Sequence, residues 1–148
     1  MSLSSYRFVS RWHIRADRDA VYGVLVDLGS YPQWWPQVRS IEQYDGQSAI
    51  VVVRSFLPYS LRIRTVSRRE DRAAGVLEAG LAGDMAGWSR WTLSATDHGC
   101  AVLYEQQVAV HRPLLRRLGL LARPLFRLNH AVMMRAGERG LRRYLWSD

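Results

Sequence analysis

The sequence predicts an α+β fold, in which helices and strands occupy separate parts of the chain. Beyond residue 38, apolar and polar side chains alternate in segment after segment, a pattern typical of antiparallel strands. A long C-terminal stretch instead repeats its apolar residues at helical spacing. Because the strands follow one another without intervening helices, an antiparallel meander packed against helices is favoured over a parallel sheet.

Residues 113–146 are predicted to be helical with a break at Pro124, because proline lacks an amide hydrogen and disfavours helix at the preceding residue. We expect residues 125–144 at least to form the long helix, and residues 113–121 a separate short helix or kinked arm. At 100° per residue, one wide arc comprises Arg116, Arg117, Arg123, Arg127, Arg135, Glu138, Arg139, Arg142 and Arg143. The opposite, inner arc comprises Ala122, Phe126, Asn129, Met133, Ala136, Gly140 and Tyr144.

The inner arc carries small residues where a packing helix usually carries leucine, and it carries one amide, Asn129. This composition suggests a helix that lies against a space as well as against side chains. The alternative is an ordinary core helix in which Asn129 bonds to nearby backbone.

The remaining elements precede this helix. Residues 6–14 alternate as a half-buried strand, and Asp17 begins a short helix that ends at Gly29. Six more strands are predicted over residues 38–44, 48–56, 59–65, 74–81, 88–95 and 100–111. Asp45-Gly46 is a hairpin signal, and residues 68–72 are predicted to form a charged turn.

Trp34 and Trp35 are adjacent and flanked by Pro32 and Pro36. Neighbouring side chains on a helix point about 100° apart, so the two rings should not share one environment. We expect one indole to be buried and the other to lie near an opening.

Length and composition set limits on function. The 148 residues are expected to form one domain, and Cys100 is the only cysteine, so neither a disulfide nor a cysteine metal cluster is expected. The net charge is +8 and all basic residues are arginine, which excludes a Schiff-base lysine. This charge permits contact with nucleic acid or an anionic membrane, although arginines spread along the whole chain favour a simple solvated surface.

No signal peptide or membrane span is seen, and a cytoplasmic location is expected.

Several segments resemble the START-like superfamily, also called Bet v 1-like (SRPBCC), and within it the polyketide cyclase/dehydrase and lipid-transport group. The matching segments are residues 12–16, 26–28, 31–36, 87–93, 129–133 and 137–141. This resemblance implies one START-like domain over residues 1–148, with the helix-grip fold. In that fold a curved seven-stranded antiparallel sheet wraps round the long C-terminal helix, and two short helices lie between strands 1 and 2. It also implies an apolar cavity between sheet and helix, which favours Asn129 as a cavity residue.

The last two strands place polar candidates in this cavity. If Ala95 pairs with Cys100, Trp91 faces Tyr104 and Ser89 faces Gln106 on one side of the sheet. Arg90 then faces Glu105 on the other side. This register keeps apolar residues together, so it is preferred to one shifted by a residue. Tyr104 is alternatively an ordinary core tyrosine.

No strong catalytic constellation is present. The four histidines, His13, His98, His111 and His130, have no metal-binding spacing, and neither a metal nor a cofactor is expected. Tyr104 and His130 are weak candidates for proton transfer, because a phenol titrates near 10 and His130 lies at the edge of the inner arc.

The sequence therefore favours a module that binds a hydrophobic or aromatic small molecule, lipid or polyketide-like. The expected ligand-binding residues are Trp12, Trp35, Trp91, Tyr104, Gln106, Phe126, Asn129 and Met133. The alternative is a polyketide cyclase, aromatase or dehydratase. A third hypothesis is a protein whose arginines contact nucleic acid or a membrane surface. Of these two partners, nucleic acid is not expected, and transient contact with an anionic membrane is the one kept. Residues 113–121 would lie on such a membrane, gate the cavity, or simply close the core.

Overall fold

The computed structural model describes residues 3–57, 60–111 and 116–146. Seven strands form one curved antiparallel sheet in the order β1-β7-β6-β5-β4-β3-β2. The strands are β1 (Leu3–Ile14), β2 (Val38–Gln43), β3 (Ser48–Val53), β4 (Leu61–Asp71), β5 (Val76–Gly83), β6 (Met85–Thr96) and β7 (Gly99–His111). The predicted seven-stranded antiparallel sheet is confirmed.

Helices occupy the predicted places. Between β1 and β2 lie α1 (Arg18–Val26) and α2 (Tyr31–Trp34), separated by a 3₁₀ turn over Leu28–Ser30. A short 3₁₀ helix (Arg116–Leu121) precedes the long helix α3 (Ala122–Trp146), which packs into the same core as the sheet. Within the described residues, no helix is both long and apolar enough to cross a membrane.

The predicted pairing of the last two strands is confirmed. Ala95 pairs with Cys100, Trp91 with Tyr104 and Ser89 with Gln106. On the other face Arg90 pairs with Glu105, with 3.8 Å between their charged groups, and Arg90 also lies 2.9 Å from Glu78 on β5. Such partly exposed ion pairs contribute little to stability, and their value is as a marker of register.

The predicted charged turn at residues 68–72 is wrong, because β4 continues to Asp71. An irregularity between Ser67 and Arg69 shifts the register, after which Glu70 pairs with Leu77. The bulge interrupts the alternation from which the strand would be read. The turn follows at residues 72–75, where Gly75 has a φ of 71° that suits glycine.

The break before the long helix is at Gly119 and not at the predicted Pro124. Gly119 adopts φ 60° and ψ −134° within the 3₁₀ segment. Pro124 lies in the first turn of α3, where the backbone amides have no partner within the helix, so its missing hydrogen costs little. Of the two predicted forms, a separate short helix or a kinked arm, residues 116–121 take the kinked one, because Gly119 interrupts the 3₁₀ segment. The rest of the predicted arm, residues 113–115, lies outside the described residues.

The buried face of α3 differs from the predicted inner arc. Phe126 belongs to both, but the other buried positions are Met134, Gly137 and Leu141. The buried face is therefore rotated by roughly 70° from the prediction. The reason is tertiary: α2 and Trp35 pack against the side of α3 that carries Gly137.

Both tryptophans of the Trp34-Trp35 pair are buried, so the prediction of one buried and one near an opening is wrong. Each residue is 4% exposed, and the two rings stack with centroids 5.3 Å apart. Gly137 and Gly140 make room for them. A Cβ on Gly137 would lie 2.6 Å from the Trp35 ring, and one on Gly140 would overlap the Trp34 carbonyl oxygen. These glycines thus allow close packing and do not leave space for a cavity.

The free edge of β1 is covered by side chains of α3. The Glu138 carboxylate accepts a hydrogen bond from the backbone amide of His13 at 3.0 Å. Arg142 donates to the His13 carbonyl at 2.9 Å, and Arg123 donates to the Ser5 carbonyl at 3.1 Å. Exposed sheet edges invite pairing with other chains, so these contacts protect β1 and attach α3 to the sheet.

Candidate functional site

A cavity of about 220 Å³ lies between the concave face of the sheet and α3. Its walls are mainly apolar side chains of the central strands, among them Val51, Val53, Leu61, Ile63, Leu77 and Leu81. The helix contributes Phe126, Asn129, His130 and Met133. Exposed lining residues such as Gln47 and Arg69 show that the cavity reaches solvent between the β2–β3 hairpin and β4.

Aromatic rings form one end of the cavity. Trp35, Trp91 and Tyr104 line it together with Tyr31, which the sequence analysis missed. The rings of Trp91 and Tyr104 are 4.4 Å apart and tilted. The Trp35 indole donates a 2.8 Å hydrogen bond to the Met133 carbonyl, which fixes this wall to α3. Flat apolar ligands pack well against such rings.

Trp12 does not line the cavity, although the sequence predicted that it would. Its ring is buried and packs against Trp35 at 5.6 Å and Trp91 at 5.0 Å. Because a β-strand alternates sides, its face was predicted correctly, but alternation does not reveal how deeply a side chain lies beneath its neighbours. Trp12 thus supports the aromatic wall from behind.

A polar cluster interrupts the apolar wall. The Tyr104 hydroxyl donates to Gln106 Oε1 at 2.7 Å, and His130 Nε2 lies 3.2 Å from the same oxygen. A carbonyl oxygen only accepts, so His130 carries its hydrogen on Nε2. The Gln106 amide nitrogen contacts the sulfur of Met85 at 3.9 Å. The predicted pair Tyr104 and Gln106 is thus joined by His130 in one connected group.

His130 is a wall residue and not the edge residue predicted from the helical arc. Its ring stacks on Phe8 with centroids 3.7 Å apart, and it lines the cavity. Desolvation by burial lowers the pKa of His130 to about 4, from an ordinary value of 6.5. The imidazole is therefore neutral at neutral pH.

Tyr104 is also held in its uncharged form. Burial raises the pKa of the Tyr104 phenol, and a hydrogen bond from Ser89 offsets this only in part. The phenolic hydroxyl therefore keeps its proton at neutral pH. With His130 neutral as well, the cluster offers uncharged hydrogen-bonding groups to the cavity.

Asn129 lines the cavity and also has a structural bond. Its side-chain oxygen accepts a 3.1 Å hydrogen bond from the backbone amide of Leu57, in the segment after β3. This is the alternative that the sequence analysis left open, a helix amide bonded to backbone. The bond ties α3 to the sheet at this end of the cavity.

The structure thus brings seven of the eight predicted ligand-binding residues together, with Trp12 as the exception. It adds Tyr31, whose hydroxyl donates to the Leu25 carbonyl at 2.7 Å, and it adds Ser89. Ser89 was already the predicted strand partner of Gln106, so the register contained a signal for it. In the described part of the chain, no three potential metal-binding side chains come together.

A curved antiparallel sheet closed by a long C-terminal helix over an apolar cavity defines the helix-grip class of ligand-binding folds. Residues 14–136 match the family model described as polyketide cyclase / dehydrase and lipid transport. The chain belongs to this family, and the resemblance seen in the sequence is confirmed.

Solved structures with the same fold share little sequence with this chain. The di-domain ARO/CYC BexL from the BE-7585A biosynthetic pathway superposes with a TM-score of 0.73 at 14% identity, covering 93% of this chain and 49% of that one. This chain thus spans about half of that protein. The Zhui aromatase/cyclase from Streptomyces sp. R1128 gives 0.69 at 14% identity, covering 94% and 91% of the two chains.

Ara h 8.0201 gives a TM-score of 0.68 at 14% identity, covering 98% of this chain and 100% of that one. At such identities these structures establish the fold alone. Among curated proteins, no sequence matches this chain.

Proposed function

We propose that the protein binds a hydrophobic or aromatic small molecule, lipid or polyketide-like, that carries an uncharged hydroxyl or keto oxygen. The observation that carries this proposal is the largely apolar cavity beneath α3 with the hydrogen-bonded cluster of Tyr104, Gln106 and His130 in its wall. Small-molecule sites typically combine an apolar wall with a few convergent polar groups.

The size and electrostatics of the cavity narrow the ligand class. A volume of about 220 Å³ exceeds that of engineered cavities of about 150 Å³ that take up benzene, so a fused aromatic system is a suitable core. Tyr104 and His130 are both uncharged at neutral pH. A buried carboxylate or ammonium on the ligand would have no ionic partner at this cluster, whereas a hydroxyl or ketone would find donors and acceptors.

Binding can be tested with 2-naphthol and naphthalene, which differ by one hydroxyl group. We expect quenching of the Trp35 and Trp91 fluorescence by both, with 2-naphthol binding roughly tenfold more tightly, since one good hydrogen bond contributes about 1 kcal/mol or more. Equal affinities would remove the polar cluster from the proposed site.

A matched pair of variants tests the location. Val51 lines the cavity, while the next residue on β3, Val52, points to the opposite face of the sheet. We expect Val51→Phe to fill the cavity and weaken 2-naphthol binding at least tenfold, and Val52→Phe to leave it unchanged. Equal effects of the two substitutions would place the ligand elsewhere.

A second candidate function is a cyclase, aromatase or dehydratase acting on a polyketide-like chain. The observation that favours it is the hydrogen-bonded link from Tyr104 through Gln106 to His130 in the cavity wall. Their pKa values make both groups weak at moving protons near neutral pH, which supports binding over catalysis. The enzyme would be established by turnover of a linear poly-β-ketone. That turnover should be lost in Tyr104→Phe and His130→Gln and kept in Val52→Phe.

We also propose that residues 1–148 act as one START-like domain in the cytoplasm. A core cluster that includes residues from all seven strands and α3 supports the single domain. The unpaired, buried thiol of Cys100 is compatible with a reducing compartment.

A further inference from the structure

The solvent-facing side of α3 carries apolar residues where a surface helix usually carries polar ones. Leu128 is 53% exposed and Val132 40%. Leu128 and Val132 are one turn apart on α3, so they lie within about 40° of each other on the helix surface. In the preceding 3₁₀ segment Leu120 is fully exposed and Leu121 is 60% exposed. The core does not explain the exposure of Leu128 and Val132, because α3 contacts the core from its other side.

Two arginines continue this apolar surface along α3. Arg135 and Arg139 are exposed and follow Leu128 and Val132 along the same side of the helix, at spacings of three to four residues. Arg123 and Arg127, by contrast, lie on the side of the helix near β1, with their guanidinium groups over the Tyr6 ring. The outer face of α3, defined as Leu128, Val132, Arg135 and Arg139, is thus apolar in its first half and cationic in its second.

We propose that the outer face of α3 docks on the surface of an anionic phospholipid membrane. Helices that lie in the membrane interface insert an apolar side among the acyl chains while arginines bind lipid phosphates. The net charge of +8 gives the molecule a long-range attraction to such a surface. Leucine and valine at the centre of the face fit hydrocarbon, whereas a nucleic-acid surface would call for aromatic or polar side chains among the arginines.

The inference is independent of the ligand in the cavity, because it rests on the opposite side of α3. Phe126, Asn129, His130 and Met133 point to the cavity, and Leu128 and Val132 point away from it. The same helix segment therefore forms the cavity wall and the docking surface.

Flotation of the full chain with phosphatidylcholine vesicles, with and without phosphatidylglycerol, tests the proposal. We expect flotation only with the anionic lipid and a loss of it at high salt, because the Arg–phosphate attraction is screened. Leu128→Ser with Val132→Ser should weaken binding roughly tenfold or more, since apolar area no longer enters the bilayer. The matched control is Val9→Ser with Val66→Ser, two exposed valines on the sheet, which should float like the original chain.

Charge is tested in the same way. Arg135→Gln with Arg139→Gln should weaken binding roughly tenfold or more, while Arg62→Gln with Arg64→Gln on β4, an equal change in charge, should have a clearly smaller effect. Equal loss in both pairs would show attraction by net charge alone and overturn the docking face. The proposal would also be overturned by absence of flotation or by equal binding to phosphatidylcholine alone. It would be overturned as well if the chain forms a dimer in size-exclusion chromatography and Leu128→Ser with Val132→Ser makes it monomeric.

Discussion

His130 shows how one residue acquires its chemistry from its surroundings. The ring lies between Phe8 and the Gln106 amide, and desolvation there lowers the pKa of His130 to about 4. A solvent-exposed histidine such as His98, in the β6–β7 turn, has no such environment. Burial thus makes His130 a neutral hydrogen-bond donor and not a physiological acid.

This depressed pKa predicts a pH dependence of stability. Since the unfolded chain binds a proton at His130 near pH 6.5 and the folded chain only near pH 4, acidification through this window favours unfolding. From about pH 7 to about pH 4.5, we expect His130 to account for roughly 2–3 kcal/mol of the lost unfolding free energy. Urea unfolding of the original chain, His130→Gln and His98→Gln across this range provides the measurement.

His130→Gln should show a flatter pH profile than both the original chain and His98→Gln. Identical profiles for all three proteins would contradict a lowered pKa at His130.

The hydrogen bond of Asn129 predicts that replacing this residue lowers the stability of the fold but leaves the ligand affinity nearly unchanged. Its oxygen accepts the Leu57 amide hydrogen, so Asn129→Leu leaves that backbone donor without its partner. We expect a loss of about 1–3 kcal/mol in the free energy of unfolding. The affinity for 2-naphthol, measured by fluorescence titration, should change less than about threefold. A variant of unchanged stability but weakened affinity would instead make Asn129 a ligand contact.

At the scale of elements, the contact between α2 and α3 depends on two glycines. Helical glycine ordinarily lowers stability by about 0.5–1 kcal/mol relative to alanine. Gly137 and Gly140 are tolerated because Trp34 and Trp35 approach the α3 backbone too closely for any side chain. The Trp35 hydrogen bond to the Met133 carbonyl holds this approach in place.

Two Gly→Ala substitutions in helices should therefore have opposite effects. Gly140→Ala forces α3 away from the Trp34 carbonyl oxygen, and we expect a loss of roughly 3 kcal/mol or more. Gly23→Ala in α1, where an added Cβ would meet nothing within 4 Å, should instead stabilise by about 0.5–1 kcal/mol. Thermal melts by circular dichroism distinguish the two. A neutral Gly140→Ala would show that α2 does not pack on α3 as described.

At the scale of the whole molecule, the sheet, α1, α2 and α3 contribute to one contiguous core cluster. Further contacts of α3 with the free edge of β1, through Glu138 and Arg142, join the two ends of the described chain. The sheet and the long helix should therefore not unfold independently.

We accordingly expect a single cooperative unfolding transition. Tryptophan fluorescence reports mainly the α2 and cavity region, and far-ultraviolet circular dichroism reports the sheet and helices, so the two curves should coincide. A fluorescence transition that precedes the loss of secondary structure would show that α2 and the aromatic wall detach before the sheet unfolds.

The sequence alone determined the fold class, the number of strands and the β6–β7 register. Period-two alternation is a local property, and one buried face specifies which residues pair across strands. That register placed Tyr104 and Gln106 correctly in the cavity wall. The buried tryptophan pair and the true buried face of α3 were not recovered, because both depend on which element packs against the helix. The break at Gly119 was missed because proline disfavours a helix more strongly than glycine, which favoured a break at Pro124.

Only the tertiary structure decided the character of the site. Gln106 is contacted by His130 from α3 and by Met85 from β6. Trp12 lies behind Trp91. Asn129 accepts a hydrogen bond from the Leu57 amide. The physical reason is that helical periodicity places a side chain on an arc of about 100°, whereas a hydrogen bond requires atoms within about 3 Å. That precision arises only when the sheet, the short helices and α3 close on one another.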